Sequence, residues 1–512
     1  MGTFRNLTVS GLLTVALATV ELPIGFSAHL GRWMTVRAHH AHASGDHSAA
    51  TGALPTPPVR HGSVMQRKFP YPYRAMLAIA SDADGMTLRK FILIHRYLNT
   101  FANTSMGRGL GLDIADSFFF FVGTDRPGAI DARHTPWQDQ MSYYYRLSTD
   151  DLHDARAIVH FSRIGWIDSL HGLGDFSMVD QTNTLFERRY AETALRTMRE
   201  NNLRYTVWIN HGNRSNVANF GSPESTYQQG DLTQSPYYVA DLMVQSGVQY
   251  IWTRRDSEFG LKSMLYPITL RDGVKRWGFY RYTDDGYDQL GDLLWNWNPA
   301  QLAKQLSPDH LQMIENRHLY AIVAQHLGGN DTENPVYGAN LLALINLAHA
   351  CREGRILVAR TSRLLQYNEV QQWIHYTVRY SGVHADIDID QIRDPVLGWR
   401  QPTLDDLRGV TFYSSSPRQT RIIVSGHAVP EARLQYNQTD YTGKPSISIP
   451  WWPANTLDNS LAPGVGSDAG DASDNERNGE KPSNPALTAP KTPTLPRAPV
   501  IPPIWIWRED HL

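Results

Sequence analysis

Residues 75–100 read AMLAIASDADGMTLRKFILIHRYLNT. The first six are apolar without alternation, which is how a strand covered on both faces reads. A polar turn, Ser81-Asp82-Ala83-Asp84-Gly85, follows at once. From Thr87 the apolar residues recur every three to four positions, the spacing of an amphipathic helix. This strand, turn and helix form one βα unit, with two carboxylates where the strand ends.

The same grammar recurs downstream. Strand-like runs are DSFFFFVG (116–123), WIDSL (166–170), YTVWINHG (205–212), VQYIWT (248–253), LYAIVAQH (319–326) and RILVAR (355–360). Helix-like segments such as DDLHDARAIVHFSRIG (150–165) and ERRYAETALRTMRENN (187–202) separate them. Alternation of this kind predicts an α/β fold on a parallel sheet. Over residues 71–370 it predicts a βα barrel, complete or lacking a strand. Residues 260–290 break the pattern and read as an inserted hairpin. From 371 to 453 short alternating segments, among them ADIDID and TRIIVSG, predict a small β-sandwich.

The flanks differ in composition. Arg5 precedes the apolar run Leu7–Val20, and Glu21 ends it, so residues 1–30 read as a cleaved signal peptide, an uncleaved membrane anchor or an ordinary N-terminal helix. Residues 31–70 read as a disordered linker rich in Ala, Gly, Pro and His; His39, His40, His42 and His47 are solvated there. Residues 454–512, rich in Asn, Asp, Gly, Ser and Pro, read as a disordered tail, although IWIWREDHL at its end is aromatic.

Composition narrows the function. The 512 residues carry a formal net charge of −2, so no global basic field attracts nucleic acid. The one cysteine, Cys351, excludes an intrachain disulfide, and its helical apolar setting marks it as a small core residue. The 14 Trp and 24 Tyr suit either sugar-binding clefts or core packing. Neither a phosphate-binding Gly-x-x-x-x-Gly-Lys loop nor a serine nucleophile elbow is present.

Polar residues then fall at strand ends, where parallel α/β folds collect their active sites. The strand ends supply Asp82 and Asp84; Asp168, His171 and Asp175; Asn210 and His211; and His326. Asp, His and a third carboxylate or imidazole meet the needs of a catalytic divalent ion, which keeps three protein ligands and one open position. The glycines beside them let the backbone approach closely. Each residue also has a structural reading: Asp84 as a helix cap, Asp175 as an Asx turn, His171 and His326 as buried hydrogen-bonded side chains.

In order and spacing, AIASDADG, IDSLHGLGDF and YAIVAQHLGG resemble the motifs of the polysaccharide deacetylases. These are carbohydrate esterases related to chitin-oligosaccharide deacetylase, within the glycoside hydrolase/deacetylase barrel superfamily. The resemblance spans roughly residues 72–370. It departs from the family in three ways: Ala83 separates the two aspartates, Asp175 stands where a second His is usual, and no Arg-x-Pro-aromatic motif is found.

The resemblance implies that Asp84, His171 and Asp175 bind the metal, with zinc first and cobalt, nickel or manganese as alternatives. It implies Asp82 as general base and His326 as general acid in removing N- or O-acetyl groups from an exported or envelope polysaccharide. Asn210 and His211 would orient water or substrate, Asp168 would orient a ligand histidine or cap its loop, and Arg254 and Arg255 would hold Asp82 or an anionic sugar or form solvated salt bridges. Two other readings stand beside it: a glycosidase using Asp82 and Asp116, and a non-catalytic glycan-binding scaffold.

Overall fold

The computed structural model describes residues 64–123, 126, 130, 140–222, 226–253, 255, 257–283, 297–328 and 336–460, with the backbone of 286–287 and 293–294. The segments expected as a signal or anchor (1–30) and most of the linker and tail lie outside the described residues, as does Arg254. Among the described residues no helix is long and apolar enough to cross a membrane.

The first unit forms as its pattern predicts. β1 is Ala75–Ser81, buried at every position. α1 is Leu88–Asn99, started by Thr87, whose hydroxyl accepts the Lys90 N–H at 3.2 Å. The residues of β1 alternate between two cores. Ala75, Leu77 and Ile79 pack with the apolar face of α1, while Met76, Ala78 and Ala80 pack with the C-terminal third of the chain. Burial on both sides is why the run is continuously apolar.

The remaining units repeat this construction. They comprise β2 (Ala115–Phe118), α2 (Ala155–Ile164), β3 (Ile167–His171), α3 (Arg188–Glu200), β4 (Val207–Ile209), α4 (Ala240–Ser246) and β5 (Tyr250–Trp252). A hairpin, β6 (Leu265–Thr269) and β7 (Lys275–Phe279), comes next. α5 (Pro308–Arg317), β8 (Tyr320–Gln325), α6 (Gly338–Arg352), β9 (Ile356–Val358) and α7 (Thr361–Trp373) complete the series.

These strands make one curled, half-barrel sheet in the order β6-β7-β5-β4-β3-β2-β1-β8, with β9 also paired to β1. All pairs are parallel except β6 with β7. The hairpin is therefore no insertion. Its second strand pairs in parallel with β5, Tyr250 opposite Trp277, and carries the sheet onward. Just beyond β7 the chain reaches the other end of the sheet. Tyr282 N–H donates to the Ile322 carbonyl at 2.7 Å, and Ala324 N–H donates to that of Tyr282 at 2.8 Å.

The C-terminal strands form two small sheets. One holds β10 (Ile374–Ser381), β11 (His384–Asp394), β12 (Gly398–Arg400), β14 (Thr420–Val424) and β15 (His427–Ala428). The other holds β13 (Thr411–Tyr413), β16 (Gln435–Asn437) and β17 (Ser446–Ser448), with Met65–Gln66 along its edge. Ile387, Ile389, Phe412 and Ile447 share the apolar cluster of Met76 and Ala78, so these sheets are packed onto the main sheet and belong to its compact unit.

Two boundaries differ from expectation. The linker reading fails for residues 64–70: Met65 and Gln66 pair with Tyr413 and Phe412, and Phe69 is buried. The tail reading fails for its first residues. Asp458 pairs with Arg96 at 2.7 Å, and His160 Nε2 lies 2.8 Å from the Asn459 carbonyl oxygen.

Candidate metal centre

The carboxyl ends of β1, β3, β4 and β8, and the chain just beyond β7, point at one place. β1 delivers Asp82 and Asp84 through the turn closed by Met86 N–H on the Ala83 carbonyl. β3 ends at His171. There Gly172 adopts φ +56°, and a Cβ on Gly174 would lie 2.6 Å from the Phe121 carbonyl oxygen, so both positions require glycine. β4 runs into Asn210 and His211, and β8 into His326.

Asp84, His171 and His211 converge. His171 Nε2 lies 3.0 Å from Asp84 Oδ2 and 2.9 Å from His211 Nδ1, and His211 Nδ1 lies 3.5 Å from Asp84 Oδ1. A tetrahedral ion with ligands about 2.0–2.1 Å away separates those ligands by about 3.3 Å. The three observed separations bracket that value, and the donors are two imidazoles and one carboxylate, a set that a divalent transition-metal ion accepts. Phe119 packs against both imidazoles, its ring 4.9 Å from His171 and 5.3 Å from His211, and fixes their tilt.

A second grouping adjoins the first. Asp82, Asp84 and His326 place one donor atom each within 4.8 Å of one another. Asp82 is already engaged: Arg281 Nη1 lies 3.0 and 2.9 Å from its two oxygens, and the Ser117 hydroxyl donates at 3.3 Å. Arg281 is fully buried and lies flat against Trp252, 3.8 Å from the ring centroid. A second dication here would add charge beside a buried guanidinium, so the geometry favours a single ion at Asp84, His171 and His211.

Electrostatics set the protonation. Burial alone would raise the Asp82 carboxyl, but Arg281, with His171 and His326, outweighs it and holds the group well below the usual carboxylate range. Burial also opposes ionisation of Asp84, and the imidazoles of His326, His211 and His171 overcome it. His326 is held flat on Trp297, centroids 5.0 Å apart, and its Nε2 lies 3.7 Å from both Asp82 Oδ2 and Asp84 Oδ2.

Of the residues expected from sequence, Asp82, Asp84, His171, His211 and His326 meet here. Asp175 does not reach the Asp84–His171 pair; it meets the far side of His211, with Oδ1 3.0 Å from Nε2. In the group that could hold an ion, His211 stands beside Asp84 and His171 where the resemblance implies Asp175.

Asp168 is a correction too. Its carboxylate accepts the Ser169 hydroxyl at 2.5 Å and the Ser362 N–H at 2.8 Å, which ties β3 to the start of α7 rather than orienting a ligand histidine. Burial pushes its carboxyl up. Asn210 is a loop clamp rather than a water-orienting group: it accepts from Trp208 Nε1 and Phe220 N–H and donates to the Phe220 carbonyl. The partner of Asp82 is Arg281, whereas Arg255 stacks on Tyr266. Asp116, the second carboxylate of the glycosidase reading, has its Oδ1 3.4 Å from the buried His95 Nε2, whereas Asp82 meets Arg281 and Ser117.

Sequence reading missed Arg281, Ser117 and Phe119, and also the asparagines that hold the loop after β4. Asn219 Oδ1 accepts the His211 N–H, its Nδ2 donates to the His211 carbonyl, and Asn216 Oδ1 accepts the Phe176 N–H. The signal for these was the run of asparagines in NHGNRSNVANFG (210–221). Comparison of the chain with protein-family models, curated proteins and solved structures found no match.

Proposed function

We propose that this chain is a metal-dependent hydrolase that removes acetyl groups from a polysaccharide, on a βα barrel whose curled sheet closes through Tyr282. The observation that carries the reading is the convergence of Asp84, His171 and His211 beside the Arg281-bound Asp82 and His326. A bound divalent ion, zinc first, would supply Lewis-acid polarisation of an acyl carbonyl and would acidify water.

The chain's own groups supply the proton transfers. Asp82 is anionic at neutral pH because Arg281 faces it, and it sits on the rim of the ligand cluster as general base. His326, stacked on Trp297 with Nε2 beside both aspartates, is the general acid toward the departing amine or alcohol. Phe119 and Trp297 supply apolar ring faces beside these groups.

The three motif stretches that resemble the polysaccharide deacetylases support an N- or O-acetylated glycan as substrate. Arg5 followed by Leu7–Val20 supports export to where such glycans lie. The test is acetate release by the zinc-loaded full chain from N-acetylated chito-oligosaccharides and O-acetylated xylan. Release that His326→Ala reduces without loss of metal supports the reading. No acetate from either substrate contradicts it.

A further inference from the structure

The two ring nitrogens of His211 face different surroundings. Nδ1 faces His171 Nε2 at 2.9 Å and Asp84 Oδ1 at 3.5 Å. Nε2 faces Asp175 Oδ1 at 3.0 Å and the Ser177 hydroxyl at 3.2 Å. A neutral imidazole has one N–H and one lone pair, and an ionised carboxylate only accepts. The Asp175 contact therefore places the proton on Nε2 and leaves the Nδ1 lone pair directed at the Asp84–His171 pair.

Asp175 is itself fixed before any ligand arrives. Its backbone pairs in parallel with Val122, and Gly123 N–H donates to its carbonyl at 2.8 Å. Its Oδ1 also accepts the Ser177 N–H at 3.0 Å, and the residue is 3% exposed. Ser177 is held in turn by Asn216 Nδ2 at 3.1 Å. The imidazole of His211 stands between Asp175 and the ligand cluster, so the carboxylate acts through that ring.

We propose that Asp175 is a positioning residue: it holds His211 as the Nε2–H tautomer and turns Nδ1 to the metal. The proposal rests on the metal reading above. A carboxylate behind a ligand histidine fixes ring orientation and raises its basicity, and removal of such a partner weakens metal binding about 10- to 100-fold.

The test uses the full chain as wild type, Asp175→Asn, Asp175→Ala and His211→Ala. Zinc affinity is measured by chelator competition, and the histidine tautomers by ¹⁵N NMR with and without zinc. In the wild type, His211 carries its proton on Nε2 and zinc shifts its Nδ1 resonance. Asp175→Ala binds zinc about 10- to 100-fold more weakly. Asp175→Asn, which keeps an amide oxygen as acceptor, binds between the two, whereas His211→Ala loses the site. Wild-type affinity in Asp175→Ala, or an Nδ1–H tautomer of His211 in the wild type, would overturn the proposal. The tautomer is read on the wild type, so the test survives a variant that does not fold. Absence of zinc binding in the wild type would overturn the metal reading itself, and would be recognised as that separate result.

Discussion

Arg281 Nη1 lies 3.0 and 2.9 Å from the two carboxylate oxygens of Asp82, and both side chains are almost wholly withdrawn from solvent. The two residues are 199 positions apart in sequence and follow strands β1 and β7, between which β2, β3, β4 and β5 lie in the sheet order. Their contact joins the turn after β1 to the chain beyond β7, beside the group that could hold an ion.

Truncation of this arginine leaves a buried carboxylate without its partner. Arg281→Met is expected to lower unfolding free energy by about 3–5 kcal/mol, measured by urea denaturation. The Asp82→Asn/Arg281→Met double variant recovers part of that loss, because no buried charge remains. Full recovery of stability in Arg281→Met alone would show that the pair carries no such weight.

In the proposed function His326 moves a proton while other residues hold the metal. His326→Gln is expected to keep its metal and lose about 10²- to 10⁴-fold in kcat for acetate release. Loss of the metal in that variant, by elemental analysis, would assign His326 to the ligand set instead.

A second buried carboxyl governs stability against pH. Glu369, on α7, is contacted by the Tyr250 hydroxyl and by Arg400, whose Nη1 is 2.7 Å from Oε1, and Asp394 lies beside it, accepting from Trp277 Nε1 at 2.8 Å. Burial pushes Glu369 up to about 7, with Arg400 opposing and Asp394 adding to the rise. The folded value lies above the unfolded one. Its contribution is therefore complete below about pH 4.5 and is lost as pH rises through 7, by about 3 kcal/mol. Thermal unfolding from pH 5 to 8.5 should show this decline, and Glu369→Gln should flatten it. A slope unchanged by that substitution would place the effect elsewhere.

Much of the site was legible because strand ends in a parallel sheet share one edge. Asp82, Asp84, His171, His211 and His326 were all visible as polar residues closing apolar runs. The place of His211 as third candidate ligand was not, because it depends on register between strands rather than on spacing within one. His171 pairs with Ile209, which sets His211 two residues further along the neighbouring strand. A reading along the chain gives Asp175 that place; the sheet turns Asp175 to the far side of the imidazole. Arg281 was hidden for a related reason. Its hairpin follows no βα rhythm, and only the parallel pairing of β7 with β5 carries the chain into the sheet.

Asp168 and Asn210 separate scaffold from chemistry. Asp168→Asn weakens the tie to the Ser362 N–H, and Asn210→Ala leaves the Phe220 backbone groups without their clamp. Each is expected to cost about 1–3 kcal/mol of stability with zinc affinity unchanged in the folded protein. A tenfold loss of affinity in folded Asp168→Asn would restore it as a support for the ligand histidines.

The measurement is the metal content of the purified full chain after zinc loading and desalting, beside His171→Ala, His211→Ala and Asp168→Asn. A metal held by Asp84, His171 and His211 gives one zinc per wild-type chain, none in either folded histidine variant, and one in Asp168→Asn. A wild type that holds no zinc, or a folded His211→Ala that holds as much as the wild type, would contradict it.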